Sequence, residues 1–277
     1  MWNTVKLLVL DVDGTILLPD GTVSPRLKRS LEAADRQGVA VALATSRRLW
    51  ATQGIAAELP VRPMLILCDG AVALSADEQT ILFADEMSPS VVSDAVRLAD
   101  DGDRFIIVDR LVDGRVGVWG QLEADGIIDV FERECGPVIE RKDRFELMTA
   151  GPALRVTVLG GADGLEVLAH RWRRDDVRLL LYGEGQSGFG LAELHVLSPT
   201  ANKAAATQAL AVHLGISMEE VVAVGDGIND RELLMAVGVG VAMGNAVEEI
   251  RRIADQVVGD VAHDGAAEAV ERHVLGS

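Results

Sequence analysis

Short, unbroken apolar runs alternate along this chain with segments whose apolar residues recur every three or four positions. "VKLLVLD" (5–11), "VAVALATS" (39–46), "MLILC" (64–68) and "VVAV" (221–224) are too short for helices and apolar on successive residues, the pattern of strands buried on both faces. Between the first two, "SPRLKRSLEAADRQG" predicts a helix, with Ser24 as N-cap, Pro25 in the first turn, Leu27, Leu31 and Ala34 on one face and Gly38 as stop. Residues 47–58 predict another. Strands alternating with amphipathic helices imply a doubly wound parallel sheet, a Rossmann-like α/β fold.

The texture changes near residue 84. "RFIIVD", "GRVGVWG", "LRVTVLG", "VRLLLY" and "AELHVLS" read as strands, several joined by Gly or Asp as in hairpins, with helical stretches near 88–100, 123–133 and 163–174. This predicts an inserted α+β domain over 84–190, with 1–83 and 191–277 forming the α/β core. The βα rhythm is evident again from residue 202: helix 202–214 with Gly215 as stop, strand 221–224, helix 230–236, strand "GVGVAM", helix 246–254, strand "QVV" and helix 264–273.

In open α/β sheets ligands bind beyond the carboxyl ends of the strands, so the residues delivered there matter most. The first strand ends in "DVDGT", where strand spacing would put Asp11 and Asp13 on the same side of the backbone. Two unit charges 4 Å apart repel by about 4 kcal/mol at an effective dielectric of 20, so something must compensate them. The second strand delivers Thr45, Ser46 and Arg47, the third Asp69 and Gly70, and the strand at 221–224 delivers "GDGIND", with Asp226 and Asp230; Lys203 opens the preceding helix. Clustered carboxylates without a His or Cys set suit a hard cation, with Mg²⁺ favoured because it combines a few carboxylates with substrate phosphate. Thr45, Ser46 and loop N–H groups offer hydrogen bonds to phosphate oxygens, and Lys203 offers a compact positive charge. The set predicts a phosphoryl site.

Composition narrows the partners. The 277 residues carry 26 Lys and Arg against 43 Asp and Glu, a net charge of −17, which disfavours a nucleic-acid or anionic-membrane surface. Hydrophobic residues make up 49% of the chain, ample for a core, yet no run approaches the ~20 apolar residues of a membrane helix. The first residues lack the basic and sustained apolar regions of a signal peptide, so a cytoplasmic location is expected. Cys68 and Cys135 are far apart and outside any CxxC arrangement, and read as structural thiols. The small-molecule partner implied is a phosphorylated metabolite.

The ordered motifs resemble those of the haloacid dehalogenase superfamily, specifically its Cof-like phosphatases with a class IIB cap. DxDG[T/V] matches Asp11–Thr15, the Thr/Ser motif matches Thr45, the Lys motif matches Lys203, and GDxxND matches Gly225–Asp230. The resemblance covers essentially the whole chain, including "VAMGNAVEEIRRIADQVV" near its end. It implies that Asp11 is the nucleophile forming an aspartyl phosphate, and Asp13 the general acid and then base. Thr45 and Lys203 would hold the phosphoryl group, and Asn229 would orient Lys203 or the phosphate. Asp11, the backbone carbonyl of Asp13, Asp226 and Asp230 would serve Mg²⁺, Asp230 mainly through the metal's waters. Sugar phosphates are the substrates the resemblance suggests. An insertion between Thr45 and Lys203 is where class IIB caps sit. Two departures stand out: Ser46 replaces the usual Gly of TGR, and Asp69 replaces the usual Asn of NGA. A phosphoryl-accepting regulatory module and a binding protein with little turnover use related residues. The second acid, Asp13, argues for hydrolysis.

Overall fold

The computed structural model describes residues 5–99, 104–122, 139–184 and 190–276. The expected helix over 123–133 and Cys135 lie outside the described residues. The chain divides into two compact units, Met1–Phe83 with Asn202–Ser277, and Ala84–Ala201.

In the first unit, β1 (Leu7–Asp11) lies between β2 (Ala40–Ala44) and β12 (Val221–Gly225), parallel to both. The sheet extends through β3 (Met64–Leu67), β4 (Val72–Leu74) and β5 (Ile81–Ala84) on one side, and through β13 (Val239–Ala242) and β14 (Gln256–Val257) on the other. β3 and β4 run antiparallel, and the sequence pattern revealed neither β4 nor β5, because three or four residues carry too little periodicity. All five residues of β1 are buried, as its continuous apolar run requires.

Helix α1 (Pro25–Arg36) starts where expected: the Ser24 hydroxyl accepts the Leu27 N–H, a cap worth about 1 kcal/mol, and Leu27, Leu31 and Ala34 are buried. Helix α2 (Leu49–Glu58) begins two residues later than predicted, because Arg47 belongs to the loop after β2. Helix α6 (Lys203–Leu214) is capped by Asn202, whose side-chain oxygen accepts the Ala205 N–H, and ends at Gly215 in a left-handed conformation. Together with α7 (Arg231–Ala236) and α8 (Glu248–Ile253) it covers one sheet face, burying Leu210, Leu233 and Ile250 against Leu7, Val9, Ile66 and Ala223. α9 (Gly265–Val270) packs against α1.

The second unit holds a six-stranded sheet in the order β10-β11-β9-β6-β7-β8. Its strands are β6 (Phe105–Val112), β7 (Arg115–Gln121), β8 (Ile139–Lys142), β9 (Arg155–Gly160), β10 (Arg178–Tyr182) and β11 (Ala192–Leu197). β11 pairs antiparallel with both β10 and β9. This unit therefore extends through Ala201 rather than ending at 190. Helices α3 (Pro89–Leu98), α4 (Arg144–Met148) and α5 (Ala162–Arg171) pack on the face carrying Ile106, Val108, Val156, Val158, Leu194 and Val196, and Trp172 joins that core. Side chains of opposite parity on β6, β9 and β11 form a polar network: Arg155 bonds Asp109 at 2.9 Å, both fully buried, and reaches His195 Nδ1 at 3.3 Å, while His195 Nε2 meets Glu193 at 2.9 Å. Among the described residues no helix is long and apolar enough to cross a membrane.

Candidate active site

The carboxyl end of β1 places Asp11 at the centre of the sheet, 5% exposed, with Ala44 of β2 as its register partner on one side and Gly225 following the Leu10–Val224 pair on the other. The strand stops at Asp11. Asp13 falls in the turn beyond it, so strand spacing does not govern the pair, and the two acids have different partners. Asp13 is exposed, and the Arg47 guanidinium grips both its oxygens, Nε to Oδ2 at 2.8 Å and Nη2 to Oδ1 at 2.7 Å. Arg47 was named in the sequence beside Thr45 and Ser46 but given no role.

The compensation sought for Asp11 is Lys203. Its ammonium donates to Asp11 Oδ1 at 2.6 Å and to Asp230 Oδ1 at 2.5 Å, and the lysine is 1% exposed. A cation in the first turn of α6 opposes the helix dipole, so its position is held by the acids and not by the helix. Asp230 is itself fixed, its Oδ2 accepting the backbone N–H groups of Asp226 and Gly227, each at 3.0 Å. Lys203 is thus oriented by Asp11 and Asp230. Asn229 sits half-buried in the short 3-10 turn Ile228–Asp230.

Asp226 Oδ2 accepts a hydrogen bond from the Asn245 side-chain amide at 3.0 Å and lies over Gly14. Gly14 has φ +78°, and a Cβ there would run into that oxygen, so both the turn and the close approach demand glycine. Thr45, 1% exposed, follows β2; its hydroxyl accepts the Arg47 N–H at 3.1 Å, and Ser46 lies beside it, half-buried. The Asp69 N–H donates to the Thr45 carbonyl at 3.2 Å and the Cys68 N–H to the Arg47 carbonyl at 3.0 Å. Both Cys68 (φ 51°) and Asp69 (φ 60°) are left-handed. Among residues with a Cβ, Asn and Asp tolerate that region best, which explains how Asp69 can stand where the resembling family has Asn.

Carboxylate oxygens of Asp11, Asp226 and Asp230 lie within 4.8 Å of one another. Three carboxylates against one ammonium leave a charge of −2, the complement of one divalent cation. The donors are oxygen throughout, which suits a hard ion. Burial, then repulsion from Asp230, holds the Asp11 carboxyl well above the usual range, and the same two causes push Asp226 up to about 6. Lys203 is driven the other way from a buried lysine: burial opposes its charge, but Asp11 and Asp230 keep it protonated far above its ordinary range. Asp11 Oδ2 and Asp226 Oδ1 accept no hydrogen bond among the described residues. The residues fit a divalent metal.

Comparisons with known proteins place the fold and the family. The chain is 28% identical over 260 residues to the HMP-PP phosphatase of Cronobacter sakazakii, covering 88% of this chain and 86% of that protein. It is 26% identical over 286 residues to the 5-amino-6-(5-phospho-D-ribitylamino)uracil phosphatase YcsE of Bacillus subtilis, covering 98% and 96%. Its fold matches a haloacid dehalogenase-like hydrolase from Bacteroides thetaiotaomicron with a TM-score of 0.80 at 24% identity, over 97% of this chain and 99% of that one. With the profile of one family spanning residues 8–270, from β1 to the end of α9, the chain belongs to the haloacid dehalogenase-like hydrolases.

Proposed function

We propose that this protein is a Mg²⁺-dependent phosphatase acting on small phosphate monoesters, sugar phosphates among them, through an aspartyl phosphate on Asp11. One observation carries the reading: Asp11 is buried at a strand end with Oδ1 held by Lys203 and Oδ2 uncommitted, a carboxylate fixed in place with one oxygen available to attack.

In the first step Asp11 Oδ2 forms a bond to phosphorus as the bond to the ester oxygen breaks, and Asp13, with one oxygen released from Arg47 and protonated, gives that proton to the departing alcohol. In the second, Asp13 as carboxylate takes a proton from water, the water oxygen bonds to phosphorus, and the Asp11–phosphorus bond breaks. Inorganic phosphate leaves, and both acids return to their starting states. Lys203 restrains Asp11 and, with Thr45 and Ser46, binds the phosphoryl oxygens; Asn229 is assigned to the same phosphate. Mg²⁺ held by Asp11, Asp226 and the Asp13 carbonyl, with Asp230 supporting the site, would neutralise charge on the transferring group. Phosphate monoester hydrolysis needs acceleration of up to about 10²¹-fold, and positioning plus charge neutralisation must supply most of it. We take Ala84–Ala201 to be a class IIB cap.

The relatives' names support small phosphorylated metabolites as the substrate class. The test is phosphate release across sugar phosphates, nucleotides and phosphorylated vitamin precursors, with Mg²⁺ and with a chelator. Turnover of at least one ester, lost on chelation and in Asp11→Asn, is expected. Full activity in Asp11→Asn would overturn the assignment.

A further inference from the structure

Asn245, in the loop after β13, touches three separate segments of the first unit. Its Nδ2 donates to the Gly14 carbonyl at 2.8 Å and to Asp226 Oδ2 at 3.0 Å, and its Oδ1 accepts the Val261 N–H at 3.0 Å. The amide has one sensible orientation, because a backbone N–H can meet only its oxygen and a carbonyl and a carboxylate can meet only its nitrogen. The same loop holds the backbone of the acidic turn, with Val247 N–H on the Asp226 carbonyl at 3.2 Å and Met243 N–H on the Gly225 carbonyl at 3.0 Å. Asp226 is therefore gripped at main chain and side chain alike, with Oδ2 turned toward Gly14 and Asn245.

We infer that Asn245 is a positioning residue for the divalent cation: it fixes Asp226 so that Oδ1 is the oxygen presented to the metal. The inference rests on the metal reading proposed above. The residue type fits the task. Lys or Arg in this place would neutralise Asp226 and compete with the cation, and an acid would repel it. A neutral amide supplies donors without charge and ties the Asp226 turn to the Gly14 turn, whose neighbour Asp13 offers its carbonyl to the same ion. Carboxylate ligands held by such outer partners typically lose about 10–100-fold in metal affinity when the partner is removed.

The experiment is calorimetric titration of the whole protein with Mg²⁺ and separately with Ca²⁺, for wild type, Asn245→Ala and Asn245→Ser. Mg²⁺ demands near-octahedral ligand placement and Ca²⁺ does not. Loss of positioning should therefore weaken Mg²⁺ by ~10-fold or more and Ca²⁺ by clearly less. A shift in the Mg²⁺/Ca²⁺ ratio is a readout that general loosening of the fold would not produce. Asn245 is exposed, and either variant that melts cooperatively suffices. If wild type binds Mg²⁺ and a folded variant binds both ions as wild type does, the role of Asn245 is overturned while the metal reading stands. Failure of wild type to bind Mg²⁺ at millimolar concentration would instead overturn the metal reading itself.

Discussion

Arg47 and Asp13 form a fork-to-fork pair, two parallel hydrogen bonds of 2.8 and 2.7 Å between a guanidinium and a carboxylate. Arg47 is locked into the loop that carries Thr45, so the acid of one loop is positioned by the cation of the next. A lysine can supply the charge but not the planar fork. Arg47→Lys is expected to lose kcat/KM nearly as fully as Arg47→Ala, by roughly 10-fold or more, on whichever ester the wild type hydrolyses. Activity in Arg47→Lys equal to wild type would show that charge alone matters there.

Lys203 bridges two buried carboxylates, and removing it takes away the one positive charge they share. Breaking a buried pair in this way costs about 3–5 kcal/mol. Lys203→Ala should lower the melting temperature of the metal-free protein substantially, and added Mg²⁺ should restore more stability to this variant than to wild type. Equal Mg²⁺ shifts in the two proteins would argue against a shared charge balance.

The raised pKa of Asp226 sets a pH dependence whose sign follows from linkage. Its value rises from 3.8 to about 6 because burial and Asp230 disfavour the anion. Between those values the folded state binds more protons than the unfolded one, so stability without metal should fall as pH rises from 4 to 6 and level off above. A divalent cation competes with that proton. Mg²⁺ affinity should rise with pH through the same window, by up to about tenfold per unit from the Asp226 proton. Thermal melts with and without Mg²⁺ from pH 5 to 8 read both trends, and a Mg²⁺ shift independent of pH would contradict the assignment of Asp226.

Asp69 is held in the left-handed region, where a β-branched residue is strained. Asp69→Val is expected to be less stable than Asp69→Asn by about 1–2 kcal/mol in denaturant melts. Equal stability would mean that the loop can relax.

Much of the site was legible because its acids stand at strand ends in a fixed order. Asp11, Asp226, Asp230 and Lys203 were all named from that order, and the structure brings these four together. What escaped were contacts made by loops reaching sideways. Arg47 and Asn245 lie in segments without periodicity, and their partners are set by three-dimensional register that spacing does not encode. The strand spacing read for Asp11 and Asp13 does not carry over for a local reason: the strand ends between them, so period-two reasoning no longer applies. β4, β5 and β8 were missed as short strands, and the far boundary of the inserted unit was set at 190 although β11, read among that unit's strands, pairs with β9 and β10 inside it.

The central strand pair β1–β12 joins Leu7–Leu10 to Val221–Val224, segments more than 200 residues apart in the chain. During synthesis, a chain that has emerged only as far as Ala201 carries Asp11, Asp13 and Thr45 but neither Lys203 nor the acidic turn at 226–230. The inserted unit can complete its own sheet by then, while β1 still waits for its neighbour. Assembly of the proposed site therefore waits on one long-range strand pairing, the kind of contact that forms slowly.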